Sequence, residues 1–225
     1  MGIRPSATTL APEMTGEELS GLREWSQSAN LIGRHLEIGT AAGGTLCFMM
    51  NCFEANARPE FAVVDTMGYF DGQLDIVKRN LSQNGLDSRQ VDFRVMSSDA
   101  AFARAEVEGE RFDFILVDAS HKIRHVMADL RWLRLLNVGG LACFHDYTAR
   151  FKGVRWPIDR FLHRNPQFSR VGLSGSLLCI RRDTTSAQPE VTSCDRVWAL
   201  LWSPILQLDL SLQKRFTSKR NSRPA

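Results

Sequence analysis

The stretch His35-Leu36-Glu37-Ile38-Gly39-Thr40-Ala41-Ala42-Gly43-Gly44-Thr45 constrains this chain more than any other. It reads as a short apolar strand carrying an acidic residue, a turn of small residues, and the entry to a helix predicted over Leu46 to Asn56. Gly39 and Gly43 supply positive φ and a missing Cβ, which let backbone approach a ligand, and the helix N-terminus offers unpaired N–H groups. Such a turn suits a nucleotide-like cofactor. Its spacing departs from the dinucleotide pattern G-x-G-x-x-G, since Ala41 stands at the third position, and from the phosphate-cradling G-x-x-x-x-G-K-[ST], since it has no lysine. A glycine-bearing strand-to-helix turn without a ligand is the alternative reading.

Around that stretch, apolar runs and helical periods alternate. Thr15 caps a helical run in which Leu19, Leu22, Trp25 and Ala29 recur at helical spacing, expected to cover one edge of the site. Strands are predicted at Phe61 to Asp65, Val91 to Met96, Phe112 to Asp118 and Leu141 to His145. Helices are predicted at Asp71 to Asn84, Asp99 to Val107 and His121 to Leu136, the last closed by Val138-Gly139-Gly140. A helix at Val154 to His163 precedes two close strands, Phe168 to Gly172 and Ser176 to Arg181. The expected fold is α/β, a doubly wound, mostly parallel seven-stranded sheet with an antiparallel C-terminal hairpin edge. Residues 1–30 form an N-terminal segment and covering helix, 31–182 the cofactor-binding domain, and 183–225 a linker, an apolar segment and a basic tail.

Charge and cysteine content exclude several function classes. The net charge is +3, yet Lys214, Arg215, Lys219, Arg220 and Arg223 lie in the last thirteen residues with no acid among them. Without those five, twenty-three basic residues face twenty-five acidic ones, so the body is slightly acidic and offers no nucleic-acid groove. Five cysteines without C-x-x-C spacing, four inside apolar runs, read as small buried thiols of a reducing compartment. No apolar leader opens the chain and no apolar run approaches the roughly 20 residues of a membrane span, so a cytoplasmic location is expected. Met1-Gly2 with Ser6 matches the bare myristoylation pattern, in the unpromising context of Arg4-Pro5.

In an open α/β sheet a ligand lies beyond the carboxyl ends of the strands, and here those ends are polar. Glu37 to Gly39 ends the first, Asp65 the second, Ser97-Ser98-Asp99 the third, Asp118 to His121 the fourth, and His145-Asp146-Tyr147 the fifth. Asp65 closes the strand that positions an acceptor for ribose hydroxyls; capping its own turn is the plainer alternative. Ser98 and Asp99 also suit an N-cap. The fourth and fifth strands would be neighbours, roughly 4.8 Å apart, which brings Asp118 and Asp146 together. Two carboxylates so close repel unless a cation sits between them, and Mg²⁺ prefers such oxygen donors. His121 and His125 make an H-x-x-x-H pair, but no third nitrogen or sulfur ligand is placed to complete a zinc site.

Two groups of residues carry a family resemblance. The run Glu37-Ile38-Gly39-Thr40 with Gly43 and Thr45 resembles motif I of the class I S-adenosylmethionine-dependent methyltransferases, in the form found in many O-methyltransferases. Val117-Asp118-Ala119-Ser120-His121, an Ala-Asp-Leu helix, Val138-Gly139-Gly140-Leu141 and Phe144-His145-Asp146-Tyr147 are similar to the metal-dependent O-methyltransferases of the macrolide-sugar and cephalosporin-pathway type. The likeness covers about Leu31 to Arg182. It implies S-adenosylmethionine as cofactor, bound by Glu37, Gly39, Thr40, Ala41, Gly43, Thr45, Asp65, Ser98, Asp99 (the last two at the adenine) and Asp118. It implies Mg²⁺ on Asp118, His145 and Asp146, and His121 as general base, a task its unperturbed pKa of about 6.5 suits. Better-known members carry glutamate where this chain has His145, and imidazole suits Mg²⁺ less well. The implied reaction is O-methylation of a hydroxyl on a small molecule, a sugar or glycosylated metabolite. An NAD(P)-dependent oxidoreductase of related fold and an inactive methyltransferase-like binding module are the competing readings.

Tyr147, Arg150, Lys152 and Trp156 are expected to wall the acceptor side. Arg196 to Phe216 carries Trp198, Leu201, Trp202, Ile205 and Leu208, with Pro204 interrupting it. It is expected to fold back on the domain or to join two copies in a homo-oligomer, with a membrane-surface contact as the alternative.

Overall fold

The computed structural model describes residues 11–28, 31–185 and 189–221, with the backbone alone for residue 210 and residues 212–221. The Met1-Gly2 and Ser6 pattern, Ala29, residues 186–188 of the expected linker, and Arg223 lie outside the described residues.

Seven strands form one sheet: β1 (His35–Ile38), β2 (Phe61–Asp65), β3 (Val91–Val95), β4 (Phe112–Val117), β5 (Leu136–Phe144), β6 (Phe168–Ser174) and β7 (Leu177–Arg182). Their order is β3-β2-β1-β4-β5-β7-β6; β7 pairs antiparallel with both β5 and β6 and the rest pair in parallel. Parallel strands are covered on both faces, which is why β1 is buried along its whole length. Leu36, Ile38, Val64 and Ile115 face α4 (Ser98–Val107), α5 (Ile123–Asp129), α6 (Lys152–Arg164) and α7 (Ser193–Asn221), in a core centred on Phe102, Trp132 and Ile158. Phe61, Val63, Phe114 and Leu116 face α1 (Gly16–Ser26), α2 (Gly44–Asn51) and α3 (Gln73–Gln83), with Leu22, Leu46, Met49 and Val77. The strand order reverses between β1 and β4, and a crevice at such a point receives the ligand in open α/β sheets.

Thr15 caps α1 as expected, in a capping box closed by Glu18. Three local expectations are corrected. The helix predicted to run from His121 to Leu136 is α5 followed by a 3₁₀ turn, Leu130–Arg134. Val138-Gly139-Gly140 does not close a helix; it loops out inside β5, where the pairing with β4 skips from Phe112↔Leu136 to Phe114↔Leu141. Gly139 takes φ +83° there, and a Cβ on Gly140 would press within 2.9 Å of two backbone carbonyl oxygens. Pro204 does not interrupt α7: the helix runs through it, and the residue lies on the exposed face.

One buried histidine gives the fold a pH dependence. His35 is fully buried, its Nε2 3.1 Å from the Leu31 carbonyl oxygen, its ring against Phe53, Phe61 and Phe114 at 5.2–5.6 Å. Burial holds it neutral and pushes its pKa down from 6.5 to about 4, against the hydrogen bond to Leu31 and the charge of Asp113. Its contribution is therefore complete above 6.5 and lost as pH falls through 4, because below 6.5 the unfolded chain takes up a proton that the folded chain refuses. The difference in unfolding free energy between wild type and His35→Phe, measured by urea denaturation, should shift by about 2 kcal/mol in favour of the variant between pH 7 and pH 5. A constant difference would place the proton elsewhere.

Candidate active site

The turn after β1 is left-handed at Gly39, Ala41 and Gly43, with φ of +84°, +43° and +82°. A Cβ on Gly39 would overlap the Asp118 carbonyl oxygen and come within 2.6 Å of the Ala119 Cα, so the missing side chain seats this loop directly on the end of β4. Asp65 holds the turn from the other side: its Oδ2 accepts from the Thr40 N–H at 3.0 Å and its Oδ1 from the Met67 N–H at 2.7 Å. Two residues that the motif did not announce complete the scaffold. Gln73 donates to the Ala41 carbonyl at 2.8 Å while accepting from the Tyr69 N–H, and Asn80 donates to the Ala42 carbonyl at 3.1 Å. Both are buried polar residues on the inner face of α3, in line with Val77 and Leu81, and that misplaced polarity was the signal in the sequence.

Glu37 lies beneath this loop, fully buried, and neither of its carboxylate oxygens has a hydrogen-bond partner; the neighbouring Thr40 hydroxyl is unpartnered as well. Burial pushes its pKa up to about 8; the Thr40 hydroxyl, close by but outside hydrogen-bonding geometry, opposes the shift, and the charges of Asp118 and Asp65 add to it. A buried carboxylate left without donors is costly unless a cation or donor comes to it. Thr45 is buried in the first turn of α2, whose N-cap, Gly43, provides no side-chain bond. Ser97, not Ser98 or Asp99, caps α4. Ser98 accepts from the Trp132 indole at 2.9 Å and Asp99 pairs with Arg131 at 2.6 Å, so both also brace the sheet's outer helices.

Across the switch point, the register Val117↔Phe144 sets Asp118 beside His145. The His145 Nδ1 lies 3.0 Å from Asp118 Oδ1 and 3.7 Å from Asp146 Oδ2, and its Nε2 lies 3.6 Å from Glu18 Oε2. Burial opposes a charge on His145, but Asp118, Asp146 and Glu18 outweigh it and raise its pKa to about 9. Glu18 reaches the site from α1, over a hundred residues away in sequence. Burial pulls the Glu18 pKa up, but donors from Ser176 and Thr15 hold it down at about 2, and these bonds tie α1 to the β6–β7 turn. Sequence reasoning missed it: a capping-box glutamate explains itself locally.

His121 is the most exposed member of the cluster. Its Nε2 is 2.5 Å from Asp146 Oδ2 and its ring stacks on Phe151 at 4.4 Å and 15°. An ionised carboxylate can only accept, so Nε2 carries a proton, and in the neutral ring Nδ1 is the nitrogen with the lone pair. Burial alone would raise the Asp146 pKa; the His121 bond and the charges of His145 and His121 lower it instead. Asp146 takes φ +59°, an uncommon conformation for a side chain other than glycine, in keeping with strain held at a working site. Gly153 fixes the approach of α6, because a Cβ there would run into the His121 carbonyl oxygen. The acceptor wall expected of Tyr147 and Trp156 is corrected. Tyr147 is buried and donates to Asp159 at 2.5 Å, and Trp156 packs edge-on against Trp202 of α7, since both rings are drawn into the apolar layer under α6. Lys152 pairs with Asp209, leaving Arg150 exposed over Phe151 at 5.3 Å.

Asp118, His145 and Asp146 each offer a ligand atom within 4.8 Å of the others, the one such group among the described residues. Two carboxylates and an imidazole fit a hard divalent ion through the carboxylates first. The orphaned Glu37 and the left-handed turn above it fit a cationic, nucleoside-bearing cofactor.

Residues 36–147 match the family model described as "Methyltransferase domain". Among solved structures, the chain is similar to an O-methyltransferase from Bacillus cereus in complex with S-adenosylhomocysteine, with a TM-score of 0.61 and 17% identity over 77% of this chain and 84% of that one. It is similar to the O-methyltransferase TomG from Streptomyces achromogenes, involved in tomaymycin synthesis and in complex with S-adenosylmethionine (TM-score 0.60, 14% identity, 76% and 82% covered). A third is CalS11, a TDP-rhamnose 3′-O-methyltransferase of calicheamicin biosynthesis (TM-score 0.57, 13% identity, 72% and 76% covered). No curated protein sequence matches the chain.

Proposed function

We propose that this chain, whose residues 36–147 match a methyltransferase-domain model, is a class I S-adenosylmethionine-dependent methyltransferase that methylates a hydroxyl oxygen of a small molecule with Mg²⁺ held beside the acceptor. We further propose that the acceptor is a sugar or a glycosylated metabolite, a reading supported by the likeness to CalS11, a TDP-rhamnose 3′-O-methyltransferase. The observation that carries the proposal is the His121–Asp146 pair standing next to Asp118, at the end of the strand on which the Gly39 turn rests. Residues 31–182 are proposed as the working domain, with α1 and α7 as appendages, and the cytoplasm as its place.

Each residue has a task in this scheme. Gly39, Thr40, Ala41, Gly43 and Thr45 shape the cofactor turn; Asp65 is assigned the ribose and Ser98 and Asp99 the adenine end. Glu37, neutral in the unliganded core, would ionise against the cofactor's positive charge on binding. Asp118 and Asp146 would hold the metal, His145 completing the set. Bound S-adenosylmethionine supplies a methyl group on a sulfonium, and bound Mg²⁺ supplies Lewis acidity to an acceptor oxygen. His121, oriented by Asp146 and stacked on Phe151, takes the hydroxyl proton at Nδ1 as the oxygen–methyl bond forms and the sulfur keeps the electron pair of the bond that breaks.

Methyl transfer from a radiolabelled donor to a panel of hydroxyl-bearing sugars and glycosides tests the reaction class; transfer only to amines or thiols would overturn O-methylation. For the metal, Mg²⁺ titrated calorimetrically into protein saturated with S-adenosylhomocysteine should bind, and Asp118→Asn should weaken it about tenfold or more. Methyl transfer undiminished by a chelator would remove the metal and leave the rest of the scheme standing.

A further inference from the structure

α7 runs twenty-nine residues and only its inner side is used by the fold. Ala199 and Leu206 are buried against the core, Trp202 meets Trp156, Arg160 lies over Trp198 and pairs with Asp195, and Lys152 pairs with Asp209. The opposite side carries Val197, Leu200, Leu201, Ile205 and Leu208, each 52–67% exposed, with exposed Pro204 between them. At 100° per residue these six positions fall on one stripe three turns long. A soluble helix ordinarily turns its polar side outward, so this face is inverted.

The same helix then changes character. Lys214, Arg215, Lys219 and Arg220 follow along its backbone, no acid occurs from residue 213 to the end, and positions 215 and 219 continue the line of the stripe by helical spacing. We propose that this face of α7 docks the enzyme on an anionic lipid surface, with the stripe in the headgroup–acyl boundary and the basic stretch among the headgroups. Apolar residues on one face followed by cations with no acids suit such a surface, where both contributions add. A second copy of the chain suits it less, because paired in register it would set the like charges of this acid-free run against each other. Among the described residues no helix is long and apolar enough to cross a membrane, so the contact is peripheral. Asp209, next to Leu208, is tied to Lys152, the residue after the Phe151 that stacks on His121, so α7 is braced against the segment that carries the stacking partner of His121.

Sedimentation of the full chain with vesicles of phosphatidylcholine alone and with added phosphatidylserine tests the proposal. The protein should pellet with the phosphatidylserine vesicles, be released by high salt, and stay in solution with phosphatidylcholine alone. Leu201→Glu/Leu208→Glu changes only exposed positions and should lower the bound fraction at least about tenfold, with an unchanged circular dichroism spectrum. Failure to pellet with either vesicle, or equal binding by the variant, would overturn the proposal. So would a concentration-dependent dimer in analytical ultracentrifugation that the variant dissociates without any vesicle binding, which would assign the face to a second copy.

Discussion

Replacing His121 by alanine is expected to lower the rate of methyl transfer by roughly a thousandfold, about 4 kcal/mol of barrier, while S-adenosylhomocysteine affinity stays within a factor of about two. The partners of His121 are Asp146 and Phe151, on the acceptor side. A neutral hydroxyl is a poor nucleophile, and removing the base removes the place for its proton. Single-turnover rates with the accepted substrate, beside calorimetric binding of S-adenosylhomocysteine, separate the two effects. Lost cofactor binding would mark His121 as structural, and an unchanged rate would hand the proton to another group.

Glu37→Gln is expected to stabilise the unliganded protein by about 3 kcal/mol at pH 7 and to weaken binding of the cationic S-adenosylmethionine by about ten- to a hundredfold. The folded pKa of Glu37 lies near 8, above the ordinary 4.5. Its contribution is therefore most favourable below 4.5 and is lost as pH rises toward 8; at pH 7 the unfolded chain gains by ionising what the folded core keeps neutral. Glutamine keeps the shape and has no proton to lose. A cationic cofactor, in contrast, gains from the charge that glutamine lacks. Urea denaturation and calorimetry on the same pair of proteins read both signs. A variant that is less stable and binds equally well would make Glu37 a structural acid unrelated to the cofactor.

Much of the architecture was legible because its signals are local. Apolar runs ending in Glu37, Asp65, Asp118 and His145-Asp146 marked strand ends, and the adjacency of β4 and β5 brought Asp118, His145 and Asp146 together as their order implied. What stayed hidden depends on tertiary contact. Glu18 belongs to a capping box and to the His145 site at once, and only the packing of α1 on the β6–β7 turn reveals the second role. Gly153 looks like an ordinary helix glycine until the His121 carbonyl is seen against it. Spacing marks Asp146 as a metal ligand, whereas its hold on His121 and its left-handed backbone are visible only in the folded chain. Tyr147 and Trp156, adjacent in sequence to the site, turned inward because aromatic burial outweighs proximity.

The central claim, that the turn after β1 holds S-adenosylmethionine, is tested most directly by calorimetric titration of the purified chain with S-adenosylhomocysteine and, separately, with NAD. Saturable binding of S-adenosylhomocysteine and no heat with NAD are expected; binding of NAD without S-adenosylhomocysteine would contradict the claim.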